Sequence, residues 1–230
     1  MARNILFIGG SGGIGLETIR LIADTAQVYA LSRHAGPLEA MGIPHAVLDV
    51  TGGSFPEDFI PETLDGLVYC PGTISLKPFK MLSEETFRED LEINFLGLVR
   101  ILKTVMPRFR DGASLVFFST VAVRSGMPFH TSVAAAKGAI EGFARALAAE
   151  TAPRLRVNVI APSLVDTPLA GRLLSSESKR EKMAERHPLK AVGTPEDIAQ
   201  MAAFLLSEKS RWITGQTFGV DGGISVLNLN

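Results

Sequence analysis

The stretch Asn4-Ile5-Leu6-Phe7-Ile8-Gly9-Gly10-Ser11-Gly12-Gly13-Ile14-Gly15 decides the fold. Its first half is an apolar run that reads as a buried strand. Its second half is a glycine cluster, and a helical pattern follows through Ala23. A tight reversal, a close backbone approach to a phosphate and close packing of helix on strand each require a missing Cβ. The start of the helix then offers free N–H groups to an anion. A purely structural glycine turn would share this composition, but the strand before it and the helix after it favour a nucleotide phosphate site.

The same alternation continues along the chain. Gln27–Ser32, His45–Asp49, Gly66–Cys70, Ser114–Phe118, Arg156–Ala161 and Thr217–Val220 read as further strands. Several are apolar almost throughout, as strands of a sheet covered on both faces are. The clearest helix starts after Ser83, a good N-cap, with Glu84 and Glu85 at the positive end of its dipole. Phe87, Leu91, Phe95, Leu98, Leu102 and Val105 share one of its faces, and Pro107 marks its end. Between Arg33 and Asp49, prolines 37 and 44 and glycines 36 and 42 leave room for little more than one turn around Leu38–Met41. Strand–helix alternation predicts an α/β fold: a Rossmann-type, doubly wound parallel sheet in three layers, forming a single domain over residues 1–230.

Composition narrows the function. The 230 residues carry 23 Lys plus Arg against 24 Asp plus Glu, a net charge of −1 that offers no global field for nucleic acid or an acidic membrane. The single cysteine excludes a disulfide framework and a thiolate zinc site, and fits a reducing cytoplasm. No run approaches the ~18 apolar residues of a spanning helix, and the four-residue run Ile5–Ile8 is too short for a signal-peptide core.

Several motifs carry a family resemblance. The spacing Gly9-x3-Gly13-x-Gly15, the segments Leu48-Asp49-Val50 and Cys70-Pro71-Gly72, and the run Arg156 to Pro162 all contribute. So do Gly193-Thr194-Pro195-Glu196-Asp197-Ile198-Ala199, Ile213-Thr214-Gly215-Gln216 and Val220-Asp221-Gly222-Gly223. Together they resemble the short-chain dehydrogenase/reductases, in the style of 3-oxoacyl-carrier-protein reductases, across essentially the whole chain. Three departures stand out: Ile8 where many members have Thr, Cys70-Pro71 where Asn-Ala is usual, and Ser163 where Gly is common.

The resemblance implies a nicotinamide dinucleotide held by Gly9, Ser11, Gly13, Ile14 and Gly15 at its phosphates, and by Asp49 and Val50 near its adenine. Cys70, Pro71, Gly72, Lys137, Pro162, Val165 and Thr167 would complete the cofactor site. At the end of the second strand Ser32 stands where an acid would bind the ribose diol, and Arg33 follows. A guanidinium pairs with a 2′-phosphate and stacks on adenine, which points to NADP(H). If Arg33 is only a solvated cation, NAD(H) is the cofactor. No metal site is expected.

The family's catalytic roles fall to Asn94 for a relay, Thr120 for the substrate oxygen and Lys137 for the ribose and proton relay. The expected tyrosine, four positions before the lysine, is Val133. The chain has only Tyr29 and Tyr69, both inside strands. His130, seven positions before Lys137, is the substitute acid by chemistry, while Thr131 and Ser132 read as helix caps. Two functions remain open. One is a divergent oxidoreductase reducing an oxo or enoyl group on a small or acyl-thioester substrate. The other is a non-catalytic, cofactor-binding structural or regulatory subunit. Residues 164–189 fall where the family places its substrate lid, with Leu169, Leu173 and Leu174 before a charged run from Glu177 to Lys182. The small residues Ala134, Ala135, Ala136, Gly138, Ala139 and Gly142 suit the helix pairing of a homotetramer, which the resemblance also implies.

Overall fold

A computed structural model describes residues 3–228. Among them, seven strands form one sheet: β1 (Arg3–Ile8), β2 (Ala26–Ser32), β3 (His45–Val47), β4 (Leu64–Tyr69), β5 (Phe109–Phe118), β6 (Leu155–Pro162) and β7 (Thr217–Val220). The order is β3-β2-β1-β4-β5-β6-β7, and every pairing is parallel. The chain therefore reverses its direction of winding between β1 and β4, and ligands of such sheets bind at that switch point, beyond the carboxyl ends of the strands. The expected fold is the observed one. β4 and β5 begin earlier than their apolar cores suggested, and β3 stops at Val47.

Two layers of helix cover the sheet. On one face, α1 (Gly13–Ile22) and α8 (Pro195–Leu206) pack over Ile5, Phe7, Val28, Val68 and Val116. On the other, α4 (Gly97–Val105) and α6 (Thr131–Thr151) cover Leu6, Ile8, Leu67, Leu115 and Val157, and α3 (Glu84–Leu91) packs against α6. Alternate residues of each strand thus serve opposite cores, which is why the strands read as unbroken apolar runs. The thin segment holds a single short helix, α2 (Pro37–Ala40), its Leu38 fully buried. The short helix α5 (Ala122–Ser125) follows β5, and α7 (Glu177–Glu185) lies within the expected lid.

The helix predicted after Ser83 contains a bulge. Ser83 caps α3 by accepting from the Thr86 N–H. Residues Glu92–Leu96 then form a π turn, in which the Gly97 N–H reaches back five residues to the Glu92 carbonyl. The carbonyl this displaces, that of Ile93, accepts from the buried Tyr69 hydroxyl at 2.5 Å. A Cβ on Gly97 would lie 2.7 Å from that same hydroxyl, so the glycine makes the contact sterically feasible. Tyr69 therefore serves to anchor the π turn that carries Asn94. Tyr69→Phe removes the donor and leaves a carbonyl unpaired, and should cost about 1–3 kcal/mol in urea denaturation. An unchanged midpoint would show that the turn holds without it.

Candidate active site

The carboxyl ends of β1, β4, β5 and β6 converge, and the predicted site residues lie on the loops leaving them. After β1 the chain enters α1 through Gly12, which is extended and caps the helix with no side chain, and no acidic residue occupies the first turn. The amides of Gly13, Ile14 and Gly15 are thus available to an anion, and half-buried Ser11 and open Gly12 leave it room. A Cβ on Gly15 would stand 2.9 Å from both Cys70 Sγ and the Gly9 carbonyl, and Gly13 has φ +53° with Thr167 Cγ2 3.3 Å from its absent Cβ. Pro71 packs on Gly9 at 3.2 Å, measured from the Cβ position. The structure therefore brings together Gly9 with Pro71, Gly13 with Thr167, and Gly15 with Cys70. These contacts fit a dinucleotide whose phosphates rest on the start of α1.

At the end of β2, Ser32 is buried. Its hydroxyl donates to the His34 carbonyl at 2.8 Å and lies 2.9 Å from His45 Nε2. Arg33 beside it is exposed. Asp49 accepts from the Thr51 N–H and hydroxyl, which hold its carboxyl below the usual carboxylate range, with Arg33 adding to the effect. Val50 is half-buried and its Cβ packs 3.1 Å from the position a Gly97 Cβ would take. On the β6 side the Pro162 carbonyl accepts from Val121 N, buried Val165 pairs with Gly193, and Thr167 N donates to the Val165 carbonyl at 2.8 Å.

The catalytic candidates meet around Gly72. A Cβ on Gly72 would be 3.4 Å from Asn94 Oδ1 and 3.4 Å from Lys137 Nζ. Asn94 is fully buried. Its Nδ2 donates to Thr73 Oγ1 at 2.8 Å and to the Asp90 carbonyl at 2.7 Å, while Oδ1 has no partner among the described residues. A buried amide oxygen without a donor is costly and marks a place where a ligand or water completes the site. Lys137, also buried, has its pKa lowered to about 8 by desolvation, against the opposing pull of Cys70 and Asp90. The same burial pushes the Cys70 thiol up to about 12, so it is no thiolate nucleophile. Thr120 is half-buried, and its Oγ1 accepts from Ala122 N at 3.3 Å. Val133 is buried one turn before Lys137 and brings no polar atom there.

Two expectations need correction or completion. Ser132 does not cap α6. Its hydroxyl donates to Asp90 Oδ2 at 2.5 Å, and His130 is the N-cap residue, with no side-chain cap bond. The His130 ring is tied locally, Nδ1 donating to the Pro128 carbonyl at 2.7 Å. The structure gives it no hydrogen bond to Thr120, Asn94 or Lys137 among the described residues. Sequence reasoning missed Asp90. Its buried carboxylate also accepts from Thr73 and, at 3.2 Å, from Ser75, tying the loop after β4 to the start of α6. Its place four residues before Asn94, one turn along the same helix face, was the available signal. A second pair, Ser163 Oγ with His187 Nε2 at 2.9 Å, joins residues 24 apart and had no local signal.

The lowered Lys137 pKa has a thermodynamic consequence. Between about 8 and the ordinary 10.5 the unfolded chain holds the proton more tightly than the folded one, so this group makes stability rise as pH climbs through that window. Lys137→Met lacks the effect. The variant should be the more stable protein at pH 7, and its lead should shrink by up to about 3 kcal/mol by pH 10.5 in urea titrations. A pH-independent gap would mean the ammonium is solvated in the folded protein.

Residues 55–225 match the protein family described as Enoyl-(Acyl carrier protein) reductase. The chain is 33% identical to the 3-oxoacyl-[acyl-carrier-protein] reductase FabG of Chlamydia muridarum, over 94% of this chain and 95% of that protein. Among solved structures, a short-chain dehydrogenase/reductase of the glucose/ribitol dehydrogenase type from Brucella melitensis superposes with a TM-score of 0.90. It is 28% identical, covering 98% of this chain and 97% of that one. ElxO with NADP bound superposes with a TM-score of 0.82 at 25% identity, covering 97% and 99%.

Proposed function

Because this chain belongs to the short-chain dehydrogenase/reductase family and is an oxidoreductase, we propose that it uses NADP(H) to reduce an oxo or enoyl group on a small or acyl-thioester substrate. The observation that carries this reading is the meeting at Gly72 of buried Lys137 Nζ and Asn94 Oδ1, the latter unpartnered among the described residues, each 3.4 Å from the position a Cβ there would take. When bound, the reduced dinucleotide supplies a hydride; the chain supplies everything else. Gly13, Ile14 and Gly15 hold the pyrophosphate by their amides, with Gly9 and Ser11 shaping the turn. Arg33, exposed beside Asp49, pairs with the 2′-phosphate and its plane covers the adenine. Asp49 and Val50 border the adenine; Cys70, Pro71 and Gly72 border the adjoining ribose; Pro162, Val165 and Thr167 line the nicotinamide side. The relative with bound NADP and the acyl-carrier specificity named for the Chlamydia muridarum protein both support this choice.

Lys137 anchors the nicotinamide ribose through its ammonium, and Thr120 donates its hydroxyl to the substrate oxygen. Asn94 holds the relay with its open Oδ1. Residues 164–189, with Leu174 buried and Leu169 exposed, close over an acyl chain as a lid on a single domain. The small residues of α6 and exposed Leu96 in the π turn form the pairing face of a homotetramer in the cytoplasm.

Two measurements test this function. The wild type should oxidise NADPH in the presence of acetoacetyl or crotonyl thioesters, and Arg33→Ala should raise KM for NADPH at least tenfold more than that for NADH, ~1.4 kcal/mol of lost phosphate pairing beyond the adenine stacking common to both. NADPH binding without turnover of any thioester would favour the non-catalytic subunit instead. An Arg33→Ala variant with equal losses for both dinucleotides would contradict the phosphate assignment.

A further inference from the structure

The protein has Val133 where the family places its proton donor, so the reduction needs another source for its proton. Such a source must combine a hydroxyl or ring at the mouth of the site with a partner able to reload it. A serine–histidine pair at the exit of β6 has this form. His187, buried at 4% exposure, follows α7. Its Nδ1 lies 2.8 Å from the Met183 carbonyl, which can only accept, so Nδ1 carries the hydrogen. Nε2 is then bare in the neutral ring, and the Ser163 hydroxyl at 2.9 Å donates to it.

The backbone locks this pair in place. His187 N donates to the Ala184 carbonyl, Lys190 N to the His187 carbonyl, and Leu189 N to the Gly222 carbonyl. A Cβ on Gly222 would lie 3.4 Å from His187 Cβ, so the loop after β7 closes against the ring. Ser163 is the first residue beyond β6. The exits of β5 and β6 are joined at this level, since Ser119 N donates to the Ile160 carbonyl and Val121 N to the Pro162 carbonyl. Two hydroxyls, Thr120 and Ser163, therefore stand on adjacent strand exits, with Val165 and Thr167 continuing along the nicotinamide side.

We propose that Ser163, reloaded by His187, is the proton donor of this oxidoreductase. The inference rests on the reductase function proposed above. Protonation of His187 at Nε2 reverses the bond, so that the imidazolium donates to Ser163 Oγ while the Ser163 hydroxyl hydrogen faces the substrate. In each turnover the substrate carbonyl carbon gains a hydride and its electron pair from the reduced dinucleotide, which leaves oxidised. The carbonyl oxygen takes the Ser163 proton, Ser163 takes the Nε2 proton, and solvent restores the ring. Ser163 is the catalytic residue and His187 a positioning and relay residue. The charged groups on the elements around the ring are already engaged or directed outward. Asp221 accepts from Gly223 N and Ser225, Lys190 Nζ donates to the Glu185 carbonyl, Asp166 pairs with Arg180, and Arg186 is exposed.

The test compares wild type, Ser163→Ala, Ser163→Thr, His187→Gln and His130→Ala with NADPH and acetoacetyl thioester across pH. Ser163→Ala should lower kcat about 10²-fold with the KM for NADPH unchanged, and Ser163→Thr should keep most of the rate. Wild-type kcat should fall as pH rises, and His187→Gln should be slow and lack that fall. Independently of turnover, nitrogen-15 NMR of the cofactor-free protein should show His187 as the Nδ1–H tautomer at high pH. An Nε2–H tautomer, wild-type kcat in Ser163→Ala, or rate losses without any change in the pH profile would overturn the inference, the last marking the pair as a structural latch. A collapse confined to His130→Ala would move the acid role there. A wild type that binds NADPH but reduces no thioester would overturn the reductase function together with this inference.

Discussion

A methyl group at position 15 would sit 2.9 Å from Cys70 Sγ and 2.9 Å from the Gly9 carbonyl. Its absence allows α1 to approach the ends of β1 and β4 at van der Waals distance, and the rest of the site follows from that approach. It places an uncapped helix terminus at the point where the sheet reverses its winding. It also brings the loop after β4 against the loop after β1, so that Gly72 faces both Asn94 and Lys137. The sheet supplies a rigid floor, since its central strands are buried on both faces and each alternate residue locks a different helix layer.

Around that floor the chain keeps an unusual number of polar groups under cover. Asp90 is buried and accepts from three hydroxyls, and Lys137 keeps an amine in the interior although desolvation lowers its pKa. Glu141, one turn beyond Lys137, is buried beneath Ser119 and faces Arg124 at 3.5 Å. Buried charge is retained only when partners compensate for lost hydration. Here the partners come from α3, α6 and the strand exits, so the network fixes the relative positions of the elements that carry the chemistry. The Tyr69 hydroxyl does the same for Asn94 by accommodating the π turn. Valine at 133 is compatible with this order because the helix is held from Ser132 on one side and Glu141 on the other.

The fold was legible because its signals are local. Apolar runs, a glycine cluster between strand and helix, and Ser83 before two glutamates each specify an element without knowledge of the rest. The motifs assigned Gly9, Gly13, Gly15, Cys70, Pro71 and Thr167 to one cofactor site, but which glycine packs on which neighbour became visible only in the fold. The π turn was not legible, because its cause is a hydroxyl on β4, 24 residues away from the carbonyl that it holds. Ser132 was misread as a cap for the same reason: its partner, Asp90, is 42 residues distant. His187 carried no signal at all, since a histidine before a proline has no periodicity and only the fold of residues 164–189 brings it to Ser163. Ser163 was visible as a departure from a family pattern, though its chemistry was not.

The central claim is that the dinucleotide cradle is complete although the tyrosine is gone, and that the open end of the cradle lies between Lys137 and Ser163. A crystal structure of the protein grown with NADPH tests this most directly. The account predicts pyrophosphate density on the amides of Gly13 and Ile14, a 2′-phosphate at Arg33, ribose hydroxyls at Lys137 and a nicotinamide ring next to Ser163. Density for the dinucleotide elsewhere, or with its nicotinamide on the far side of Thr120 from Ser163, would contradict it.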